Sequence, residues 1–123
     1  MTNYLALPHE KLIAYQEARK LLACVHEACI LDGKLRDQAI RAATSVCLNI
    51  AEGAGRTAAA DKARVYGIAR GESCEAATAL DIAHLTGGCK PAPAEAGARH
   101  ARAVYALLSG LIRRFSSATR TGG

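Results

Sequence analysis

Small and apolar residues recur at alternating steps of four and three within residues 38–56, QAIRAATSVCLNIAEGAGR. This spacing places them on one face of a helix, whereas a strand would need alternation at every second residue. Gly53 and Gly55 follow the stripe, as glycines often do at the end of a helix. The run therefore predicts an amphipathic helix that ends at about Gly53. Its stripe consists of Ala39, Ala43, Val46 and Ile50.

Similar stripes occur in three other segments, with turn residues between them. Helices are predicted over about residues 8–30, 34–53, 57–86 and 93–116, followed by a frayed tail at 117–123. Long helices joined by short turns favour antiparallel neighbours. We therefore predict an all-α fold, a single domain over residues 1–123 that forms an up-down-up-down four-helix bundle.

Individual residues predict where these helices begin and approach one another. Pro8 suits the first turn of the first helix. Asp32 and Thr57 are the expected N-caps of the second and third helices, since their side chains can accept bonds from free amides. Gly67 and Gly71 lie inside the third helix, where each costs roughly 1 kcal/mol relative to alanine. We expect them to let a neighbouring backbone come close.

The composition restricts the core and the cellular location. Half of the 123 residues are hydrophobic, but only 4% are aromatic and none is tryptophan. Small aliphatic residues must then fill the core, which favours close contacts between helices. No apolar run approaches the ~18 residues of a membrane span, and no signal peptide pattern is evident. The sequence predicts a bacterial, cytoplasmic protein without a membrane partner.

Motifs for catalysis or metal binding are absent from the sequence. The five cysteines form no C-x-x-C pair, so reduced and mostly buried thiols are a better interpretation than a zinc site. Glu72 and Glu75 lie one helical turn apart, but neither has the histidine three residues later that a di-metal bundle uses. The four histidines have no acidic or cysteine partner at catalytic spacing. We therefore predict no metal, no cofactor and no enzymatic activity.

The net charge of +5 is concentrated near the end of the chain. Basic and acidic residues balance through Glu95, and no acidic residue follows it. Such a one-signed segment favours anionic partners, although a merely solvated basic surface is a close alternative. The arginines of this segment are Arg99, Arg102, Arg113, Arg114 and Arg120.

A second set of polar residues surrounds the break after the second predicted helix. It can hold the second and third helices in register, or it can form an active site; the lack of a nucleophile or activated base favours the structural role. If Glu52 and Arg70 share a partly buried network, Glu52→Ala should cost about 1–3 kcal/mol. The set consists of Gln38, Asn49, Glu52, Arg56, Arg70 and Glu75.

The run over residues 38–56 also resembles a known signature, Q-x-x-R-A-x-x-S-[IV]-x-x-N-I-A-E-G-x-x-R. It belongs to the four-helix-bundle proteins first noticed as products of intervening sequences in bacterial 23S ribosomal RNA genes. The resemblance covers about residues 8–116, and Glu72 departs from it by replacing the usual serine. The signature matches are Gln38, Arg41, Ala42, Ser45, Val46, Asn49, Ile50, Ala51, Glu52, Gly53 and Arg56. Other matches are Leu12, Tyr15, Gln16, Ala18, Ala69, Arg70, Gly71, Glu75, Leu108, Ser109, Gly110, Leu111 and Ile112.

The resemblance implies a homo-oligomer, since pentameric rings are known among relatives. One related branch, the accessory variability determinant of diversity-generating retroelements, partners a reverse transcriptase and binds nucleic acid through a basic ring. The predicted function is a non-enzymatic, ring-forming protein that binds RNA or DNA through arginines. The alternative is a protein-protein scaffold, which the scarcity of aromatic residues favours weakly. The candidate arginines are Arg36, Arg41, Arg99, Arg102, Arg113 and Arg114.

Overall fold

The structure, a computed structural model, describes the backbone of residues 5–122 and the side chains of residues 5–117. Within that range it contains four helices and no strand, which confirms the all-α fold. Each helix packs against two others, in the cyclic order α1, α2, α3, α4. Short connectors make successive helices antiparallel, so the helices form an up-down-up-down bundle. The helices are α1 (Ile13–Glu27), α2 (Gly33–Gly55), α3 (Ala59–Leu85) and α4 (Pro91–Gly122).

The core consists of two clusters stacked along the bundle axis. Leu21, Val25 and Leu80 belong to the cluster at the end where α1 connects to α2. Ile50 and Leu108 belong to the cluster at the opposite end. Alanines fill much of the space between these larger side chains, which is how a chain poor in aromatic residues brings its helices close together. Burying each large aliphatic side chain stabilises the fold by about 1.5–3 kcal/mol.

The structure corrects two of the predicted helix starts and confirms one N-cap. Pro8 lies in a turn before α1, closed by the bond from the Glu10 amide to the Leu7 carbonyl (3.1 Å), so the helix starts only at Ile13. Asp32 is the N-cap of α2, and its carboxylate accepts a bond of 2.9 Å from the Leu35 amide. Thr57 is not the N-cap of α3, because that position belongs to Ala58, which makes no side-chain cap bond.

The connector between α1 and α2 begins earlier than predicted. Cys29 adopts a left-handed backbone conformation with φ of 50°, which ends α1 at Glu27 instead of residue 30. Gly87, with φ of 70°, ends α3 in the same manner, as the sequence predicted. The Leu31 amide donates to the Gly88 carbonyl (2.9 Å), so the two connectors at this end of the bundle are joined.

Gly53 has a different role from the predicted one of ending α2. The helix continues to Gly55, and neither glycine has a positive φ. A Cβ atom on Gly53 would lie 2.9 Å from two ring carbons of Tyr66, which is only 2% exposed. The absence of a side chain at residue 53 therefore lets the Tyr66 ring of α3 pack against the α2 backbone.

The last helix is longer than predicted at both ends. It begins at Pro91, where the missing amide of proline costs no helical bond, instead of at residue 93. It continues to Gly122, so the backbone of residues 117–122 is helical where the sequence analysis placed a tail. No glycine or proline interrupts residues 111–121, which removes the local reason for the helix to end at 116. Gly123 lies outside the described residues.

Candidate nucleic-acid interface

Four of the predicted nucleic-acid-binding arginines lie on α4 with exposed side chains. Arg102 and Arg113 are eleven residues apart, which is close to three full turns of helix. They therefore point in nearly the same direction, about 16 Å apart along the axis. Arg99 lies one turn before Arg102, and Arg114 is rotated by about 100° from Arg113. Arg120 lies outside the described side chains.

Most other arginines are held by carboxylates. Within the described part of the chain, none of the four α4 arginines forms an ion pair. Arg102 donates to the Ala98 carbonyl one turn earlier (3.4 Å), and the Arg114 guanidinium lies 5.4 Å from the centre of the Phe115 ring. The arginines of α2, α3 and their connector differ, with the exception of Arg70, because acidic residues of α2 and α3 lie next to them. The carboxylate pairs are Arg36–Asp37 (4.0 Å), Arg41–Glu75 (2.6 Å), Arg56–Asp61 (3.4 Å), Arg64–Asp61 (2.8 Å) and the close Arg56–Glu52 contact.

The six predicted arginines do not form a single patch. Arg36 and Arg41 lie on α2, which packs against α1 and α3, whereas the other four lie on the diagonally opposite helix α4. Arg36 also donates to the Ile30 carbonyl (3.5 Å), which directs its guanidinium toward the connector. Arg36 and Arg41 are therefore less accessible to an anionic ligand than the four arginines of α4.

The predicted polar network divides into separate local groups. The Asn49 amide donates to the carbonyl and hydroxyl oxygens of Ser45, each at 2.9 Å, so its bonds remain within α2. Gln38 is exposed on the same helix. Glu52 contacts Arg56 across one helical turn, whereas Arg70 bonds to residues of α4. The predicted link between Glu52 and Arg70 is therefore replaced by contacts to two different neighbours.

The group around Arg56 stabilises the turn between α2 and α3. Its hydrogen bond to Glu52 raises the pKa of Arg56, and Asp61 adds to that effect. The hydrogen bond from Arg64 holds the pKa of Asp61 below its ordinary value. Lys62 donates to the Ala54 carbonyl (2.7 Å), so it satisfies one of the free carbonyls at the end of α2. These exposed contacts guide the chain through the turn but contribute modestly to stability.

Glu72 and Glu75 lie together beside Arg41 on the surface between α2 and α3. Arg41 pairs with Glu75, while the Oε2 atom of Glu72 is buried and has no hydrogen-bond partner. Burial raises the pKa of Glu72, and repulsion from Glu75 raises it further. The arrangement makes a negative charge on Glu72 costly.

Arg70 joins α3 to α4 through Ser109, which matches the family pattern, and Tyr105, which the sequence did not point to. Its Nη1 atom donates to the Ser109 hydroxyl (3.1 Å), and its guanidinium lies 5.3 Å from the centre of the Tyr105 ring. Tyr105 remains 44% exposed. Spacing was the available signal, because Tyr105 and Ser109 follow Arg102 by three and seven residues and precede Arg113 on the same helical face.

Cysteines and histidines show two further differences from the predictions. Only Cys24 is buried; Cys29 and Cys74 are exposed. His100 does have an acidic partner, because its Nδ1 atom lies 2.5 Å from Glu17 and links α4 to α1. That pair spans 83 residues of sequence, so only the packing of the helices reveals it. The described residues contain no group of three or more His, Cys, Asp or Glu side chains that could hold a metal ion.

The fold and these polar groups define an antiparallel four-helix-bundle protein with an unpaired basic surface on its last helix. A model of the family described as 23S rRNA-intervening sequence protein matches residues 10–110. The chain therefore belongs to that family. A search among curated proteins finds no match. Over residues 5–122, no helix is long and apolar enough to cross a membrane.

Proposed function

We propose that the protein is a non-enzymatic, ring-forming module that binds nucleic acid through α4. The observation that carries this proposal is a contrast in ion pairing among the described arginines. Of those on α2, α3 and their connector, only Arg70 lacks a carboxylate partner, whereas none of those on α4 has one. Guanidiniums without a carboxylate partner can neutralise phosphates without first breaking an ion pair. Their binding surface consists of Arg99, Arg102, Arg113 and Arg114.

Arg36 and Arg41 have a smaller part in this proposal. Arg41 can bind a phosphate only by competing with Glu75, whose carboxylate lies 2.6 Å away. Arg36 already contacts Asp37 and the Ile30 carbonyl. We assign the main contribution to α4 and only a long-range electrostatic contribution to the two arginines of α2.

Self-assembly is supported by an exposed apolar patch on the outer surface of α2 and α3. Leu48 and Ile68 are 65% and 44% exposed. Gly67 and Gly71 lie beside them on α3, and a Cβ atom on either glycine would meet nothing within 4 Å. Among the described residues, no backbone uses the space that these glycines leave open. A second copy of the chain can use it, since small residues permit close approach of helices.

Ion pairs lie on both sides of this patch and leave it close to neutral. Leu48 lies two turns beyond Arg41 on α2, and Ile68 lies two turns before Glu75 on the antiparallel helix α3. On the other side of the patch, the turn that holds Glu52 and Arg56 supplies further paired charges. Identical copies therefore meet with little repulsion. We propose a closed ring, a pentamer as in relatives, which repeats the basic surface of α4 in every subunit.

The proposal also places the protein in the bacterial cytoplasm. All five cysteines are unpaired, which fits a reducing compartment. Glu52, Arg70 and Glu75 form ion pairs or hydrogen bonds with neighbouring side chains. We infer that these residues position helices and do not catalyse a reaction.

The test measures the affinity of the purified oligomer for RNA and DNA at several salt concentrations. Replacing Arg99, Arg102, Arg113 and Arg114 with glutamine should weaken binding to all sequences alike and flatten the dependence on salt. A matched control replaces four exposed cations of α1 and the start of α2, Arg19, Lys20, Lys34 and Arg36, with glutamine, and leaves the ion pairs beside the apolar patch intact. That control should retain most of the affinity. Equal losses in both variants would contradict the assignment to α4.

A protein-protein scaffold without nucleic-acid binding is the second candidate function. Leu31 and Leu85 favour it, because they are highly exposed near the two connectors that lie at one end of the bundle. Exposed apolar side chains grouped in this way are typical of protein contacts. If the unmutated oligomer binds neither RNA nor DNA at low salt, the nucleic-acid proposal fails and the scaffold takes its place.

A further inference from the structure

We propose that one face of α4 is a binding site for single-stranded nucleic acid, with a base stacked on the ring of Tyr105. The site consists of Arg102, Tyr105, Ser109 and Arg113, together with Arg70 of α3. This inference rests on the proposed nucleic-acid binding and specifies its ligand. It also adds a component that charge alone does not supply, because arginines attract phosphates whether or not the bases are paired.

Tyr105 differs from the other described aromatic side chains in its exposure. It is 44% exposed, whereas Tyr66 is buried in the core and Tyr15 and Phe115 are half-buried. Tyrosine rings on protein surfaces commonly serve contacts, because they offer a large apolar area at a low cost in conformational entropy. A base presents a flat π surface that can stack on such a ring.

Arg70 orients the Tyr105 ring before any ligand arrives. Its guanidinium lies 5.3 Å from the ring centre and its Nη1 atom donates to Ser109, one turn further along α4. The hydrogen bond fixes Arg70, and Arg70 in turn covers part of the ring. Less rotational freedom is then lost when a base stacks on the remaining exposed part. Arg70 is therefore a positioning residue in this site.

Cations lie on both sides of the ring along the helix. Arg102 precedes Tyr105 by three residues, about 4.5 Å along the axis, and Arg113 follows it by eight residues, about 12 Å along the axis. Both side chains are exposed and form no ion pair within the described residues. A strand that runs along α4 can place phosphates on both arginines while one of its bases lies on Tyr105.

Stacking on a side chain requires an accessible base. Bases in a duplex are stacked on each other and expose only their edges in the grooves, whereas those of a single strand can turn outward. The site contains one aromatic ring between cations, an arrangement that binds single strands with little preference for sequence. Single-stranded RNA or DNA is therefore the ligand class that this face fits.

The experiment compares a fluorescently labelled 15-nucleotide thymidine or uridine strand with a duplex of the same length. Tyr105→Leu should weaken single-strand binding about tenfold, because the stacking surface is lost. It should leave duplex binding and the salt slope unchanged, since no phosphate contact is removed. Tyr105→Phe is the matched control and should bind as the unmutated protein does, because it retains the ring. Unfolding curves check that both variants are folded.

The arginine variants separate charge from stacking. Arg102→Gln and Arg113→Gln should each reduce the salt slope by about 0.7 for a single strand. The inference is overturned if the unmutated protein binds duplex and single strand equally and Tyr105→Leu binds both with the affinity of the unmutated protein. The proposed function stands in that case. If the unmutated protein binds neither, both are overturned.

Discussion

Single residues in this bundle differ sharply in how much space surrounds them, as Gly53 and Gly55 show. Because a Cβ atom on Gly53 would lie 2.9 Å from two carbons of the buried Tyr66 ring, Gly53→Ala forces that ring to shift. We expect a loss of about 1–3 kcal/mol in the free energy of unfolding, measured with urea. Gly55→Ala is the matched control, since nothing lies within 4 Å of its added Cβ. It should be neutral or stabilising by up to about 1 kcal/mol. Equal effects at both positions would contradict the close approach of Tyr66.

Glu52 shows that a match to a sequence signature does not reveal whether a side chain is buried. Glu52 matches the family pattern, and the sequence analysis expected it to share a partly buried network with Arg70. The structure shows a pair with Arg56 in which both side chains are nearly half exposed. The expected cost of Glu52→Ala therefore falls to about 0.5 kcal/mol or less. Residue identity was predictable from the pattern, but burial depends on neighbours in other helices.

At the scale of helices, periodic stripes were enough to predict four elements and their order. Ends were predictable where a local cause exists, as with the carboxylate of Asp32 and the positive φ of Gly87. They were not predictable where tertiary contacts decide. Cys29 takes a left-handed conformation although its side chain gives no such signal, because the bond between the two connectors and the burial of Ile30 hold the chain there.

Cysteine is therefore not the most stable residue for the left-handed backbone conformation at position 29. Glycine adopts a φ of 50° without the steric cost that a Cβ atom imposes. We expect Cys29→Gly to raise the free energy of unfolding by about 0.5–1 kcal/mol in a denaturant titration. Cys74→Gly is the control, because Cys74 is also exposed but lies inside α3. That substitution should destabilise by about 0.2–0.5 kcal/mol. A loss at both positions would show that the connector does not require this conformation.

The surface between α2 and α3 should make stability depend on pH. Burial and the neighbouring Glu75 raise the pKa of Glu72 in the folded protein, so folding becomes less favourable as pH rises through that value. Glu72→Gln removes this effect and should stabilise the protein at pH 7 by a few tenths of a kcal/mol to about 1 kcal/mol. The advantage should shrink near pH 4, where Glu72 carries a proton in both states. An advantage that is constant from pH 4 to pH 7 would argue against a proton on Glu72.

Across the whole molecule, the two surfaces that matter for the proposed function lie on different helices. The sequence revealed an excess of positive charge after Glu95, but not which arginines are neutralised, because ion pairs such as Arg41–Glu75 join residues from separate helices. It also gave no indication that the glycines of α3 face outward. Four of the six predicted arginines remain the main candidates for binding, and of the two on α2, Arg41 lies beside the surface proposed for assembly.

The apolar patch on the outer surface of α2 and α3 is the proposed contact between copies. Leu48 is 65% exposed between two groups of paired charges, so a lysine at this position places unpaired charge in the centre of a contact between copies. We expect the unmutated protein to be an oligomer at micromolar concentration by light scattering, and Leu48→Lys to be a folded monomer with unchanged helix content. Ile13→Lys is the matched control, since Ile13 is similarly exposed but lies on α1. It should assemble normally. A monomeric unmutated protein would contradict the ring, whereas an intact oligomer of Leu48→Lys would place the contact on another face of the bundle.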